Sequence, residues 1–191
     1  GKSILEASFS VLNTSGKFKE DGVYEGSSLG SYGVGSKLTN FLSKKMVVST
    51  VRDGLQEIVW FEDGLFLTRT VDKAPVKEHG TIVWWYPDPR FFTHVEINEK
   101  EIKELIHTIV CLCPGLSITF NEKVFISVNG LNDLTDTAVG KREIINSRFV
   151  LREPQFDLVM TYTDGYNTTV VPYVNTGLTE KGPHITAIKT A

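Results

Sequence analysis

The segment Gly30-Ser-Tyr-Gly-Val-Gly-Ser-Lys-Leu-Thr-Asn-Phe-Leu-Ser43 runs a glycine-rich turn straight into apolar residues at Val34, Leu38, Phe41 and Leu42. That spacing is helical. The first turn of a helix leaves backbone N–H groups unpaired and carries the positive end of the helix dipole. Glycines at such a start let the backbone approach an anion closely. The chemistry on offer is phosphate binding by the N–H groups of Val34, Gly35 and Ser36, with Gly30 and Gly33 supplying backbone freedom. A bare Gly-x-x-Gly-x-Gly also describes a plain turn and helix cap, so other segments must decide.

The elements that would position this turn are readable from periodicity. Residues 2–13 form a helix with Ile4, Leu5, Phe9 and Leu12 on one stripe. Residues 14–33, rich in glycine, serine and charge, form a long loop of the length at which a functional lid is expected. The helix over 34–43 follows. Four strands come next, Met46–Arg52, Leu55–Glu62, Leu65–Val71 and Thr81–Tyr86, the first three joined by tight Asp-Gly turns. Glu99–Cys111 is an amphipathic helix with Ile102, Leu105, Ile106, Ile109 and Val110 inward. Leu116–Phe120 and Lys123–Val128 make a hairpin about Asn121-Glu122, and Leu131–Ala138 is a short helix. Ile145–Arg152, Phe156–Tyr162 and Thr168–Val174 read as three more strands, and Pro183–Thr190 opens a helix. Periodicity weakens over Asn129–Lys141, where a domain boundary is expected.

Composition narrows the partners. The chain has 191 residues, 41% hydrophobic and 23% charged, enough for one or two small cores. A net charge of −3 and only short basic pairs, Lys44-Lys45 and Lys141-Arg142, argue against direct gripping of duplex DNA. No secretory leader is evident at Gly1, and no apolar run approaches the ~20 residues a membrane helix needs. Cys111 and Cys113 lie two apart at a helix end and point apart, which predicts core thiols rather than a disulfide. A cytoplasmic protein fits these features.

Four further segments accompany the glycine turn. They are Ile4-Leu-Glu-Ala-Ser-Phe-Ser-Val-Leu-Asn-Thr-Ser-Gly-Lys-Phe18, Gly80-Thr-Ile-Val-Trp-Trp-Tyr-Pro-Asp-Pro-Arg-Phe-Phe92, Cys113-Pro-Gly-Leu-Ser-Ile-Thr-Phe120, and Tyr173-Val-Asn-Thr176 with Gly182-Pro-His184. In this order they resemble the ATPase subunits of bacterial-type type II DNA topoisomerases, the gyrase B and topoisomerase IV ParE group of the GHKL superfamily. The resemblance covers nearly the whole chain. It implies an α+β fold: residues 1–138 would be the C-terminal part of a GHKL-type sandwich, a mainly antiparallel sheet with helices on one face. Residues 139–191 would begin a transducer-type α/β domain.

The resemblance also implies roles. Gly30, Ser31, Tyr32, Gly33, Val34, Gly35 and Ser36 would hold the triphosphate of ATP, with Tyr32 standing where the family usually has histidine. Lys17 would contact the phosphates, Tyr24 would reach the adenine ring from the lid, and Thr81 would join the network below the base. Each has a plainer alternative: a solvated lysine, a packed or exposed loop aromatic, a strand residue chosen for β propensity. Glu25 stands where the family often has a second lysine. Trp84, Trp85 and Tyr86 read as packing, His107 and His184 as structural, and pairs such as Glu99/Glu101 or Asp133/Asp136 as solvated. No residue matches the family's activating glutamate or the asparagine that holds Mg²⁺, so the chain reads as an internal fragment that does not itself turn over ATP, its metal ligand expected in a preceding segment. The parent would bind ATP and Mg²⁺, dimerise, and act on DNA with a DNA-cleaving partner subunit. The alternative is a non-catalytic gyrase-like module that pairs with another chain through uncovered apolar surface.

Overall fold

The structure is a computed structural model that describes residues 1–12, 33–154 and 156–190. Two compact units divide it, residues 1–96 and 97–191.

In the first unit, α1 (Ile4–Ser10) and α2 (Gly35–Phe41) lead into β1 (Ser43–Arg52), β2 (Leu55–Glu62), β3 (Leu65–Lys73) and β4 (Gly80–Pro87). The four strands form one antiparallel sheet in the order β3-β2-β1-β4. Both expected hairpin turns are present. Asp53-Gly54 and Asp63-Gly64 have φ values of 52°, 76°, 50° and 77°, the positive pair that a two-residue turn needs to match strand twist. Met46, Val48, Val59 and Phe61 are buried on one sheet face, and Leu5 and Phe9 of α1 pack against them. Helix α1 is shorter than the periodicity suggests. Ser3 caps it, its Oγ accepting from Glu6 N at 3.0 Å, while Ile4 and Leu12 of the expected stripe stay 89% and 55% exposed. Trp84, Trp85 and Tyr86, expected to be packed, are 53%, 43% and 45% exposed, and among the described residues β4 is bonded to β1 alone.

In the second unit, α3 (Glu99–Leu112) is followed by β5 (Ile118–Phe120), β6 (Lys123–Phe125), α4 (Leu131–Val139), β7 (Phe149–Glu153), β8 (Phe156–Met160), β9 (Tyr173–Val174), β10 (Gly177–Leu178) and α5 (Pro183–Thr190). Asn98 caps α3, accepting from Lys100 N at 3.1 Å. Ile106, Val110 and Cys111 are its buried residues, whereas Leu105 is 55% exposed. The β5–β6 hairpin turns at Asn121-Glu122 as expected, with φ 46° and 65°. Gly140 ends α4 at φ 63°, and Arg142 donates to the Ala138 and Val139 carbonyls there, so this expected surface cation caps a helix. The third strand expected over 168–174 shrinks to the two-residue β9, paired with β10. Pro172 interrupts that run and has no N–H to give a ladder.

Candidate functional site

The candidate site starts from the end of the glycine turn. Gly33 has φ 60°, a left-handed conformation that favours glycine, and Val34 caps α2 with no side-chain hydrogen bond to its first turn. Gly35 and Ser36 open the helix, and Leu38 N closes its first backbone bond to Val34 O at 2.9 Å. The N–H groups of this first turn are those that a helix leaves for an external acceptor. Lys17, Tyr24, Gly30, Ser31 and Tyr32 lie outside the described residues.

Helix α2 is held from three directions. The Ser36 hydroxyl donates to Ser8 O of α1 at 2.7 Å. Asn40, fully buried, donates from Nδ2 to Phe9 O and to Gly64 O, both at 3.1 Å. Asp88 N donates to Leu42 O at 2.9 Å, tying the end of β4 to the C-terminal cap of the helix. At Gly64 the β2–β3 turn comes so near α2 that a Cβ would stand 2.9 Å from Phe41 Cα. Lys37, 3% exposed, sits in the first turns of α2, and burial pushes its pKa below the usual lysine value.

The Pro87-Asp-Pro-Arg90 step holds a charge network that the sequence marked as a signature but gave no role. Asp88 is 1% exposed; its Oδ1 accepts from Arg90 N at 2.9 Å and its Oδ2 from Arg90 Nε at 2.8 Å. Arg90 also donates to Asp63 Oδ1 at 2.6 Å, and Lys44 Nζ donates to the same oxygen at 2.9 Å. The Arg90 guanidinium holds the Asp88 carboxyl below the usual range, and Lys44 does the same for Asp63. This network links β1, the β2–β3 turn and the end of β4, where Asp88 N meets the C-terminal cap of α2.

Thr81 stands on β4 opposite Thr50, at the far end of the β1–β4 ladder from Ser43, where α2 passes into β1. The run of strand from Ser43 to Thr50 spans about 23 Å at ~3.3 Å per residue. Thr50 lies two residues from the buried Val48, so Thr50 and Thr81 share the sheet face on which α1 packs. Gly33, Val34, Gly35 and Ser36 are brought together at the start of α2, and Thr81 stands on β4 opposite Thr50.

In the second unit the carboxylate of Asp133, expected to be solvated, reaches back to fasten the loop before α4. It accepts from Ser127 Oγ at 2.7 Å, Asn129 N at 3.2 Å and Asn129 Nδ2 at 2.9 Å, and these bonds hold it below its ordinary range. Asp136 pairs with Arg148. His107 Nε2 lies 2.9 Å from Thr137 Oγ1, joining α3 to α4, and His184 Nε2 lies 3.1 Å from Thr179 Oγ1, in keeping with structural roles. Both cysteines are free; burial pushes the Cys111 thiol up.

The sequence is 30% identical to the DNA gyrase B protein of Thermus thermophilus over 205 residues, which take in 100% of this chain and 32% of that protein. It is also 30% identical to the B protein of DNA topoisomerase 4 from Borreliella burgdorferi over 175 residues, 92% of this chain and 29% of that protein. This chain is a homologue of the gyrase B and topoisomerase IV B proteins. It spans about a third of the length of these curated relatives. No family model matches the sequence. The fold agrees. The 43K ATPase domain of T. thermophilus gyrase B superposes with a TM-score of 0.71 at 24% identity, over 94% of this chain and 54% of that one. The ATPase region of Saccharomyces cerevisiae topoisomerase II superposes with a TM-score of 0.80 at 18% identity, over 98% of this chain and 50% of that one. The α+β class expected from the sequence is therefore the fold of these domains. Among the described residues no helix is long and apolar enough to cross a membrane.

Proposed function

We propose that this chain is the nucleotide-binding portion of an ATP-hydrolysing type II DNA topoisomerase subunit. The observation that carries the proposal is the 30% identity to gyrase B in an alignment that spans the whole chain. The triphosphate of ATP rests on the N–H groups of Val34, Gly35 and Ser36, with Gly30, Ser31, Tyr32 and Gly33 forming the rest of the turn. Lys17 adds charge-assisted hydrogen bonds to the phosphates. Tyr24 approaches the adenine from the lid and Thr81 from the sheet. Residues 1–138 belong to the GHKL-type domain and 139–191 open the transducer.

The whole protein couples ATP binding and hydrolysis to passage of one DNA duplex through another, in the cytoplasm, as a dimer of this subunit with a DNA-cleaving partner. Bound Mg²⁺ would neutralise the triphosphate. Among the described residues no three His, Cys, Asp or Glu side chains are grouped so as to hold a metal ion. The chain alone binds nucleotide without turning it over.

Calorimetry with a non-hydrolysable ATP analogue and Mg²⁺ tests this. Saturable binding that weakens in Lys17→Ala supports it. No binding up to millimolar analogue, or binding indifferent to Lys17→Ala and Gly33→Val alike, defeats it.

A further inference from the structure

Two threonine hydroxyls face each other across the β1–β4 ladder. Thr50 Oγ1 lies 3.2 Å from Gly80 O, to which it donates, and 3.3 Å from Thr81 Oγ1. A hydroxyl has one proton to give and two lone pairs to receive with. Both contacts can be hydrogen bonds in one arrangement only. The Thr50 proton goes to the Gly80 carbonyl, which can only accept, and Thr50 Oγ1 then accepts the proton of Thr81. That leaves Thr81 with its proton spent and its lone pairs turned outward.

The surroundings favour this arrangement. Glu57, the neighbour of Thr50 on the other side of β1, pairs with Arg69, whose Nε donates to Glu57 Oε1 at 2.8 Å. Val83, two residues along the same face of β4 and opposite the buried Val48, is 44% exposed. An open apolar surface thus lies beside the hydroxyl pair, suited to a flat aromatic ring.

We infer that Thr50 is a positioning residue that fixes Thr81 as a hydrogen-bond acceptor, and that the pair thereby selects adenine over guanine. The inference rests on the reading of Thr81 as a base contact. An acceptor at this point pairs directly with the 6-amino group of adenine and meets a second acceptor in the 6-oxygen of guanine. Replacing Thr50 by a residue without a hydroxyl frees the Thr81 proton, and Thr81 then serves donor and acceptor bases alike.

The test measures dissociation constants of non-hydrolysable ATP and GTP analogues for the wild-type chain, Thr50→Val, Thr50→Ser and Thr81→Val. The expected result is an adenine preference that falls about tenfold in Thr50→Val, the scale of one hydrogen bond, and is kept in Thr50→Ser. An unchanged preference in Thr50→Val beside a lost one in Thr81→Val overturns the role of Thr50 and leaves the base contact standing. Equal weakening of both analogues in Thr50→Val, a purely structural effect, also overturns it. A wild-type chain that binds neither analogue defeats the nucleotide reading and this inference with it.

Discussion

At Gly64 the β2–β3 turn lies close against α2, and replacing it measures how firmly the helix is seated. Gly64→Ala meets two costs. At φ +77° a side chain is forced into the left-handed region, worth ~1–2 kcal/mol. The new Cβ would also lie 2.9 Å from Phe41 Cα and 3.1 Å from Phe41 Cδ1. The first of these is backbone, so the turn and helix must separate, an overpacking cost of ~1–3 kcal/mol. Separation strains the bond from Asn40 Nδ2 to Gly64 O as well, worth about 1 kcal/mol. The sum is ~3–6 kcal/mol, a large share of the ~5–15 kcal/mol of an ordinary domain. Gly54→Ala is the internal control. It has nearly the same φ, +76°, but its Cβ would meet the Val76 side chain at 3.2 Å, which can turn aside. That change is expected to cost ~1–2 kcal/mol, the conformational part alone. All three tryptophans, Trp60, Trp84 and Trp85, lie in the first unit, so fluorescence in a urea titration reports on it alone. Equal destabilisation by the two changes, or a cost of Gly64→Ala below that of Gly54→Ala, refutes the seating of α2 on the turn.

Other outcomes follow from single observations. Met46→Ala empties a fully buried site and is expected to cost ~2–5 kcal/mol in the same titration. Asp63, Asp88 and Asp133 all have depressed pKa values, so their stabilisation is complete above the unfolded value near ~3.9 and is lost as pH falls through the lower folded values. Urea midpoints should therefore hold steady from about pH 5 upward and drop below about pH 4; a midpoint that rises on acidification contradicts the network. A thiol reagent should modify the half-buried Cys113 first, and Cys111 only on unfolding. Among the described residues Thr161 Oγ1 is buried without a partner, so Thr161→Val should leave stability unchanged or raise it, where a hydrogen-bonded hydroxyl would show a loss.

Much of the fold was legible because its signals are local. Asp-Gly between alternating strands specifies a two-residue turn wherever the strands end up, and both sites obey it. The amphipathic period of 99–111 gave α3 within a residue. What escaped depends on partners distant in sequence. Arg90 appears in the sequence only as part of the Gly80–Phe92 segment, and its ion pair with Asp63 of another turn emerges only in the fold. Asp133 reads as a solvated acid until the loop before α4 folds back onto it. The tryptophans of β4 carry core-like side chains on a strand that, among the described residues, has a neighbour on one side only, and no pattern within the strand tells an edge from a centre. The phosphate turn was legible as a motif, while its support from Ser36, Asn40 and Asp88 emerges only in the folded chain.

The central claim is that the start of α2 holds the phosphates of a nucleotide. Amide ¹H–¹⁵N spectra of the ¹⁵N-labelled chain, titrated with a non-hydrolysable ATP analogue and Mg²⁺, test it most directly. The account predicts saturable shifts at Val34, Gly35 and Ser36, together with Thr81, that collapse in Gly33→Val. Saturable shifts confined to other residues, or none at these amides up to millimolar analogue, would contradict it.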